Sequence, residues 1–187
     1  MKYNFIRSVF QATTILERER YESINHLLDE ETKYFLYEFG LPNSTWFSFE
    51  FTNSEIYNAE YNILNIGNNG RKFNGEIASY IGIDLNSNEI VMFYNFAENE
   101  KCFLGLSLKH FILTMFEFEM FTKEICVKKY FGEIHSQEKK SYLEYLNYRL
   151  LQLDKDFYAN DRSYYWGSIL EGMEQGVVQI VDFKTIK

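Results

Sequence analysis

Proline, cysteine and histidine are scarce in this chain of 187 residues, which contains 1, 2 and 3 of them. The single proline is Pro42, and no stretch is rich in proline or in glycine with serine, so nothing in the sequence marks a linker between domains. Apolar residues make up 46% of the chain, which is enough to build a substantial core at this length. We therefore predict a single domain over residues 1–187, without internal repeats.

Long hydrophobic runs are also missing, and the cysteines form no motif. No apolar stretch approaches the roughly 20 residues that a membrane-spanning helix needs. The first residues, MKYNFIRSVF, lack the apolar run of a signal peptide. Cys102 and Cys126 match neither a metal-binding nor a redox spacing. We expect a cytoplasmic protein with reduced thiols and no membrane contact.

Sequence motifs of catalysis are absent. His26, His110 and His135 are scattered, and HExxH, GxSxG, GxGxxG and GxxxxGK[ST] do not occur. Glu117 and Glu119 flank one residue of a predicted helix, so they point about 200° apart and cannot share a proton or a metal. We therefore predict no catalytic residues, no metal ligands, no cofactor and no enzymatic activity. Acid–base pairs that form only on folding stay an open alternative.

Two features have a functional and a structural interpretation, and we favour the structural one in both. The Gly67–Gly70 loop precedes Arg71 and Lys72, which would attract a phosphate, but no helix opens there as a phosphate cradle requires. We predict a hairpin-type loop instead. Asp84 ends a strand at a turn, where Asp usually hydrogen-bonds to nearby backbone rather than binding a ligand.

The net charge of −8 is carried entirely by the first part of the chain. Residues 1–100 contain 7 Lys/Arg and 15 Asp/Glu, whereas residues 101–187 contain 12 of each. An acidic surface repels phosphate backbones, which disfavours direct nucleic-acid binding. It also accelerates the encounter with a basic protein. Solubility alone is the alternative explanation for a net charge of this size.

Aromatic residues are abundant, with 18 Phe, 15 Tyr and 2 Trp. A sugar-binding surface is one explanation, and a compositional bias across the whole chain is the other. We favour the bias, because most of the aromatic residues fall at core-like positions in the strand and helix patterns.

The middle of the chain has the two-residue period of β-strands. Three Phe alternate with polar residues in a strand over residues 46–51, and residues 61–66 form the next strand candidate. Residues 77–95 predict a hairpin with its polar turn at 86–88. Because short turns join only antiparallel neighbours, we predict an antiparallel meander of about four strands.

Helical periodicity dominates the two ends. Residues 5–39 look helical, with Asp29 as an N-cap and Gly40 as the C-terminal stop. Ser107 is the predicted N-cap of a long helix with an apolar stripe at helical spacing. Further helices are predicted over residues 137–157 and 162–175. Strands followed by helices predict an α+β fold, in which helices flank a central antiparallel sheet of about four to six strands.

Four segments of the chain occur in an order and with a spacing that are together characteristic, although no single one of them is diagnostic. They are LYEFGLP (Leu36–Pro42), ILNIGNNG (Ile63–Gly70), YIGIDLNSNEIV (Tyr80–Val91) and LGLSLKHFILTMF (Leu104–Phe116). The order is similar to that of the SUKH superfamily, and within it to the fourth subfamily of bacterial immunity proteins. The resemblance covers about residues 25–170.

The resemblance implies a SUKH-like α+β fold and a protein that binds a partner and has no shared catalytic site. The implied role is to neutralise a cognate toxin, often a nuclease or a nucleotide-modifying enzyme. A basic toxin would complement the acidic N-terminal part, and exposed aromatic residues would serve as anchors. The predicted partner-binding residues are Glu17, Glu19, Glu22, Asp29, Glu30, Glu31 and Trp46.

Two other classes of protein are compatible with the same sequence. The first is a regulatory or scaffolding domain of the Smi/Knr type in cell-wall or signalling control, which would share the fold. The second is an enzyme or a sugar-binding protein, which would need a deep pocket lined by polar groups.

Overall fold

The computed structural model describes residues 3–10, 12–43, 47–51, 57–58, 62–70, 72–94, 101–128, 136–153 and 164–175. The helices in these ranges are α1 (Asn4–Val9), α2 (Glu30–Tyr34), α3 (Leu108–Lys128), α4 (Ser136–Leu153) and α5 (Tyr164–Gln175). Two 3₁₀ turns (Arg18–Tyr21 and Asn25–Leu27) precede α2, which continues into a π-helical turn (Phe35–Phe39). Of these helices, none is long and apolar enough to cross a membrane.

The strands of the described ranges are short. They are β1 (Ala12–Thr14), β2 (Leu41–Asn43), β3 (Glu50–Phe51), β4 (Tyr57–Asn58), β5 (Ile63–Asn68), β6 (Lys72–Phe73), β7 (Glu76–Ile77), β8 (Ser79–Asp84), β9 (Ile90–Tyr94) and β10 (Lys101–Gly105).

A central antiparallel sheet organises the molecule, as the sequence predicts. Its strand order is β10-β9-β8-β5-β3, and β4 pairs with β5 as well. Neighbouring strands are antiparallel, with Ile81 opposite Met92 and Leu64 opposite Ile83. The fold is therefore α+β, with a central sheet and five helices among the described residues.

The predicted meander is confirmed, and the described residues form four further pairings that were not predicted. Strands β3, β5, β8 and β9 follow one another across the sheet in chain order. Strand β10 adds an edge strand that the sequence analysis did not predict, and β4 pairs with β5. Strands β6 and β7 form a separate small hairpin, and β1 pairs with β2. Residues 47–51 of the predicted 46–51 strand are described, and of these Glu50–Phe51 pairs with β5, whereas Ser48 has a positive φ of 55°.

The N-terminal part is not the continuous helical region that we predicted. Helix α1 ends at Val9, and β1 then pairs antiparallel with β2. The run Thr13-Thr14-Ile15 explains the difference, because β-branched side chains favour extended backbone over helix.

Both predicted boundaries around α2 are confirmed. An Oδ1 oxygen of Asp29 accepts a hydrogen bond of 2.6 Å from the backbone N–H of Thr32, which satisfies a donor of the first turn. At the other end Gly40 has φ of +84°, a conformation that residues with a Cβ rarely adopt.

Helix α3 supplies the core that covers the sheet. The predicted stripe is buried, and it packs in one cluster with β8 residues Ile81 and Ile83. The ring centroid of Phe111 lies 5.8 Å from that of Phe49 and 6.3 Å from that of Phe51. The buried stripe residues are Leu108, Phe111, Ile112, Met115, Phe118 and Thr122.

Helices α4 and α5 complete the core, and every described residue of the two predicted ranges is helical. Leu146 and Leu150 of α4 are buried, as are Trp166 and Met173 of α5. The indole N–H of Trp166 donates a hydrogen bond of 2.8 Å to the carbonyl oxygen of Leu104, which ties α5 to β10. The predicted helical residues 154–157 and 162–163 lie outside the described residues.

Candidate partner-binding surface

The six acidic residues that we predicted as a binding surface lie in one exposed stretch. We call residues 17–31 the acidic segment. Buried side chains of Tyr21, Ile24 and Leu28 fix this segment to the core, and its Asp, Glu and Arg side chains are exposed. The first group of carboxylates lies in and beside the first 3₁₀ turn, and the second group lies at the N-terminus of α2.

The second group is paired with basic or backbone donors. Asp29 caps α2 through its bond to Thr32. Glu30 lies 2.6 Å from the ammonium of Lys33, and Glu31 lies 2.8 Å from the ammonium of Lys109 on α3. The hydrogen bond from Glu31 raises the pKa of Lys109 above its usual value. These carboxylates stabilise local structure, which reduces the charge that they offer to a partner.

The first group keeps more of its charge. Glu17 pairs with Arg20 at 2.7 Å, and the Arg18 guanidinium lies over the ring of Tyr37, 5.2 Å from its centroid. Glu19 and Glu22 are exposed, and neither forms an ion pair with any other described residue. Within the acidic segment these two are therefore the carboxylates most open to a basic partner.

Exposed apolar side chains flank the carboxylates. Ile15, just before the acidic segment, is 45% exposed, and Leu27 within it is 38% exposed. An apolar contact surrounded by charge is the usual composition of a protein interface with a polar rim. The aromatic anchor predicted at Trp46 lies outside the described residues.

Two tyrosines lie beneath the acidic segment. The ring centroids of Tyr21 and Tyr37 are 6.5 Å apart, and their buried hydroxyls have no hydrogen-bond partner among the described residues. Burial raises the pKa of both phenols. Both therefore stay protonated at neutral pH and would be poor general bases.

A concave feature lies between helices α1, α3 and α4, and none of its lining residues was among the predicted binding residues. We call it the helical pocket. It has a volume of about 190 Å³, and its walls include Phe5 of α1, Phe116 and Met120 of α3, and Tyr145 of α4. The Phe5 and Phe116 rings meet edge to face, with centroids 5.9 Å apart.

An ion pair lines the helical pocket. Glu117 is buried and lies 2.8 Å from the guanidinium of Arg149, which also donates to the hydroxyl of Tyr145 at 3.4 Å. The hydrogen bond to Glu117 raises the pKa of Arg149 above its usual value. Glu124 completes the charged lining, whereas Glu119 does not line the pocket.

The sequence carried a signal for one wall of the helical pocket only. Tyr145 and Tyr148 lie off the side of α4 that carries the buried Leu146 and Leu150, both are more than half exposed, and Tyr145 lines the pocket. Exposed tyrosine on the polar side of an amphipathic helix points to a contact surface. Phe5 is 65% exposed and carried no such signal, because its region was predicted as one long helix.

The remaining sequence features have structural roles. Asp84 closes the β8–β9 turn by accepting from the Asn86 backbone N–H at 3.0 Å and pairing with Lys101 at 3.0 Å. His110 lies in the first turn of α3, where its backbone N–H donates to the Oγ of Ser107 at 3.3 Å. That bond confirms Ser107 as the helix cap.

The described residues contain no group of three or more His, Cys, Asp or Glu side chains that would hold a metal ion. Cys102 is half-buried, and burial raises the pKa of its thiol, which reduces its reactivity. Cys126 and His135 belong to stretches whose side chains the structure does not describe.

Comparison with known proteins gives no assignment: no family model matches the chain, and no curated protein and no solved structure matches it significantly.

Proposed function

We propose that this chain is a bacterial immunity protein that binds a basic toxin domain and neutralises it by covering the toxin's active site or substrate path. The observation that carries the proposal is the acidic segment, in which exposed Glu19 and Glu22 lie in sequence between the exposed apolar side chains of Ile15 and Leu27. The order of motifs that resembles the SUKH superfamily adds support from the sequence.

The chemistry of a basic toxin fits this surface. Toxins that cleave nucleic acid or modify nucleotides bind phosphates with clustered Lys and Arg. Carboxylates on a binding protein attract such a cluster from a distance and compete with the phosphates for it. Apolar side chains within the same patch supply the short-range part of the binding free energy.

The test is binding and protection with the toxin-like product of the neighbouring gene. The purified chain should capture that protein in a pull-down, and its expression should protect cells that produce the toxin. Failure of both would overturn the proposal. Binding without protection, or capture of a cell-wall or signalling protein alone, would favour the regulatory interpretation instead.

A charge-reversed pair of variants sharpens the test. Glu19→Lys/Glu22→Lys should weaken capture and reduce protection, because it puts two cations on the proposed contact. Glu76→Lys/Glu174→Lys changes the net charge equally at exposed positions in β7 and α5, and it should keep both activities. Equal loss in the two variants would show that net charge matters and that the acidic segment does not.

A further inference from the structure

The small sheet of β1 and β2 has one edge that no described strand covers. Among the described strands, β1 pairs with β2 alone, and the register places Thr13 opposite Pro42. Proline has no backbone N–H, so these two residues cannot exchange hydrogen bonds. Bonded and non-bonded pairs alternate along an antiparallel ladder, so the bonds to β2 come from Ala12 and Thr14. The N–H and C=O of Thr13 therefore point away from β2.

The same alternation continues past the end of β1. The N–H of Leu16 donates a hydrogen bond of 2.9 Å to the carbonyl oxygen of Leu36, so it faces the same side as the ladder groups of Thr14. The backbone groups of Ile15 then face outward with those of Thr13. Among the described residues no hydrogen bond to these four outward groups is formed. We call residues 12–16, with these outward groups, the β1 edge.

The β1 edge is accessible and is held in place. Ile15 is 45% exposed, and Thr13 and Thr14 are partly exposed. The hydroxyl of Thr14 accepts a hydrogen bond of 3.4 Å from the side-chain amide of Asn43, and the buried side chain of Leu16 fixes the end of the segment. Because ordering an extended segment costs conformational entropy, an edge that is already fixed binds a further strand at lower cost.

The residues of the β1 edge lack the usual protection against strand addition. Exposed edges in natural proteins commonly carry lysine, proline or a bulge that prevents pairing. Residues 12–16, ATTIL, contain neither charge nor proline, and three of them are β-branched, which favours extended backbone. The proline of this sheet lies on β2 instead, where the nitrogen of Pro42 faces away from β1. The two sides of the sheet therefore differ, and the β1 side is the one open to a new strand.

The surroundings of the β1 edge favour a basic strand. The acidic segment begins directly after it, and Glu19 is exposed and forms no ion pair with any other described residue. An extended chain covers at most about 3.6 Å per residue, so the Cα of Glu19 lies within about 14 Å of that of Ile15. A strand of five or six residues is about 17–20 Å long. Such a strand on the β1 edge brings its charges into the field of the acidic segment.

We propose that the β1 edge binds an extended segment of the basic partner, which adds to the sheet as a further strand beside β1. Backbone hydrogen bonds to Thr13 and Ile15 supply affinity, and lysine or arginine side chains of the added strand are attracted by the acidic segment. This inference rests on the proposed function for the identity of the partner. A second copy of this chain is disfavoured as the occupant, because each copy carries a net charge of −8 and the two repel each other.

The first experiment uses the chain alone. Amide hydrogen exchange is measured residue by residue with NMR and corrected for intrinsic rates. It should be slow at Thr14 and Leu16 and at least about tenfold faster at Thr13 and Ile15, because only the first two amides are hydrogen-bonded. Slow exchange at Thr13 and Ile15 would show that another part of the chain already covers the edge, and it would overturn the inference.

A basic peptide then tests strand addition without the partner. The probe is a hexapeptide of alternating lysine and valine with both ends blocked. Its control is the same peptide methylated at every backbone nitrogen, which keeps the charge and removes every N–H. At saturating concentration the probe should slow exchange at Thr13 and Ile15 at least about threefold, and the control should leave it unchanged. Equal effects of the two peptides, or no effect of either, would overturn strand addition.

Variants of the edge test the contact with the toxin. Thr13→Pro removes an outward N–H and leaves the bonds to β2 in place, so it should raise the Kd of the toxin complex about tenfold. Thr13→Val keeps the N–H and the branched shape and should leave the Kd unchanged. Ile15→Lys alters an exposed side chain and should also raise the Kd, because a cation beside the edge repels a basic strand. Thermal unfolding of each variant checks that the fold is kept.

The outcomes separate the two proposals. An unchanged Kd in both Thr13→Pro and Ile15→Lys would overturn the edge inference and leave the proposed function intact. Failure of the unmodified chain to bind any neighbouring toxin, with the unmethylated peptide still protecting Thr13 and Ile15, would overturn the proposed function and support strand addition. Self-association that Thr13→Pro abolishes would assign the edge to a second copy and overturn the inference.

Discussion

Gly82 in strand β8 lies so close to strand β5 that a side chain has no room there. A Cβ at this position would lie 2.3 Å from Cγ2 of Ile63 and 3.0 Å from the carbonyl oxygen of Leu64. The rings of Tyr80 on β8 and Phe93 on the neighbouring strand β9 stack with 5.4 Å between their centroids, so the space toward β9 is also occupied. The residue is therefore fixed by steric packing in the centre of the sheet.

The variant Gly82→Ala should destabilise the protein by about 1–3 kcal/mol, because the two strands must move apart to admit the methyl group. The measurement is the midpoint of urea unfolding, followed by circular dichroism. Gly167→Ala is the matched control, since nothing lies within 4 Å of the added Cβ in helix α5. That change should stabilise the protein by up to about 1 kcal/mol through helix propensity. Similar effects at the two sites would refute the steric explanation.

The turn between β8 and β9 is the first feature at the scale of elements. The backbone N–H groups of Ser87 and Asn88 donate to the carbonyl of Asp84, at 3.3 Å and 2.7 Å. Burial raises the pKa of the Asp84 carboxyl, but the hydrogen bonds from the Asn86 backbone and the Lys101 ammonium outweigh it, and the pKa is lower than usual. The ionised carboxylate therefore stabilises the folded state.

The variant Asp84→Asn should cost stability at neutral pH and cost less in acid. A lowered folded-state pKa contributes stability above the unfolded pKa of about 3.9, and this contribution disappears as the pH falls through the folded value. The measurement is the difference in unfolding free energy between variant and unmodified chain from pH 6 to pH 2. Lys101→Met should show the same trend, because it removes the paired ammonium. A difference that stays constant with pH would contradict this role.

The contact between helices α3 and α4 includes the Glu117–Arg149 pair. Arg149→Ala should destabilise the protein by about 1–3 kcal/mol, because the buried Glu117 carboxylate loses its donor. Replacing both residues, as Glu117→Leu/Arg149→Met, should recover most of that loss. Thermal unfolding of the single and double variants measures both effects.

The pair of Glu17 and Arg20, in which both side chains are more than half exposed, provides the comparison for this prediction. Arg20→Ala should cost less than about 1 kcal/mol, as is usual for ion pairs at the surface. A cost as large as that of Arg149→Ala would mean that burial of Glu117 has no special effect.

Among the helices and strands, the features that local periodicity encodes were predicted correctly from the sequence. The features that depend on residues distant in the chain were missed. The stripe of α3 and the cap at Asp29 are set by residues close in the chain, and both are confirmed. Strand β10 was missed, because its five residues become a strand only by pairing with β9. The long N-terminal helix was wrong, since the β1 segment instead pairs with β2 some 30 residues later.

For the whole molecule, the uneven charge has a kinetic consequence. The association rate with the proposed basic partner should fall several-fold between low and physiological salt, because mobile ions screen the attraction between exposed charges. The Glu19→Lys/Glu22→Lys variant should associate more slowly at low salt and approach the rate of the unmodified chain at 0.5 M salt. Stopped-flow mixing measures these rates. A rate independent of salt in both proteins would contradict electrostatic steering.

The candidate surface was predicted in part from the sequence. The exposure of the acidic segment follows from composition, since charged residues rarely occupy a core. Its ion pair to Lys109, 78 residues away, requires the fold. The helical pocket joins three helices that are distant in the chain, so no local pattern contains it. The exposure of residues 17–31 was therefore predictable from composition. The helical pocket was not predictable, because it depends on contacts between distant parts of the chain.

The position of Trp166 gives the molecule a built-in optical signal. Its indole is 1% exposed and stacks on Phe118 with ring centroids 5.3 Å apart, while its N–H is bound to Leu104. In a Trp46→Phe background it would be the single indole fluorophore, and its emission should be blue-shifted in the apolar surroundings. A red shift that precedes the loss of sheet signal during denaturation would then report that α5 detaches from β10 first.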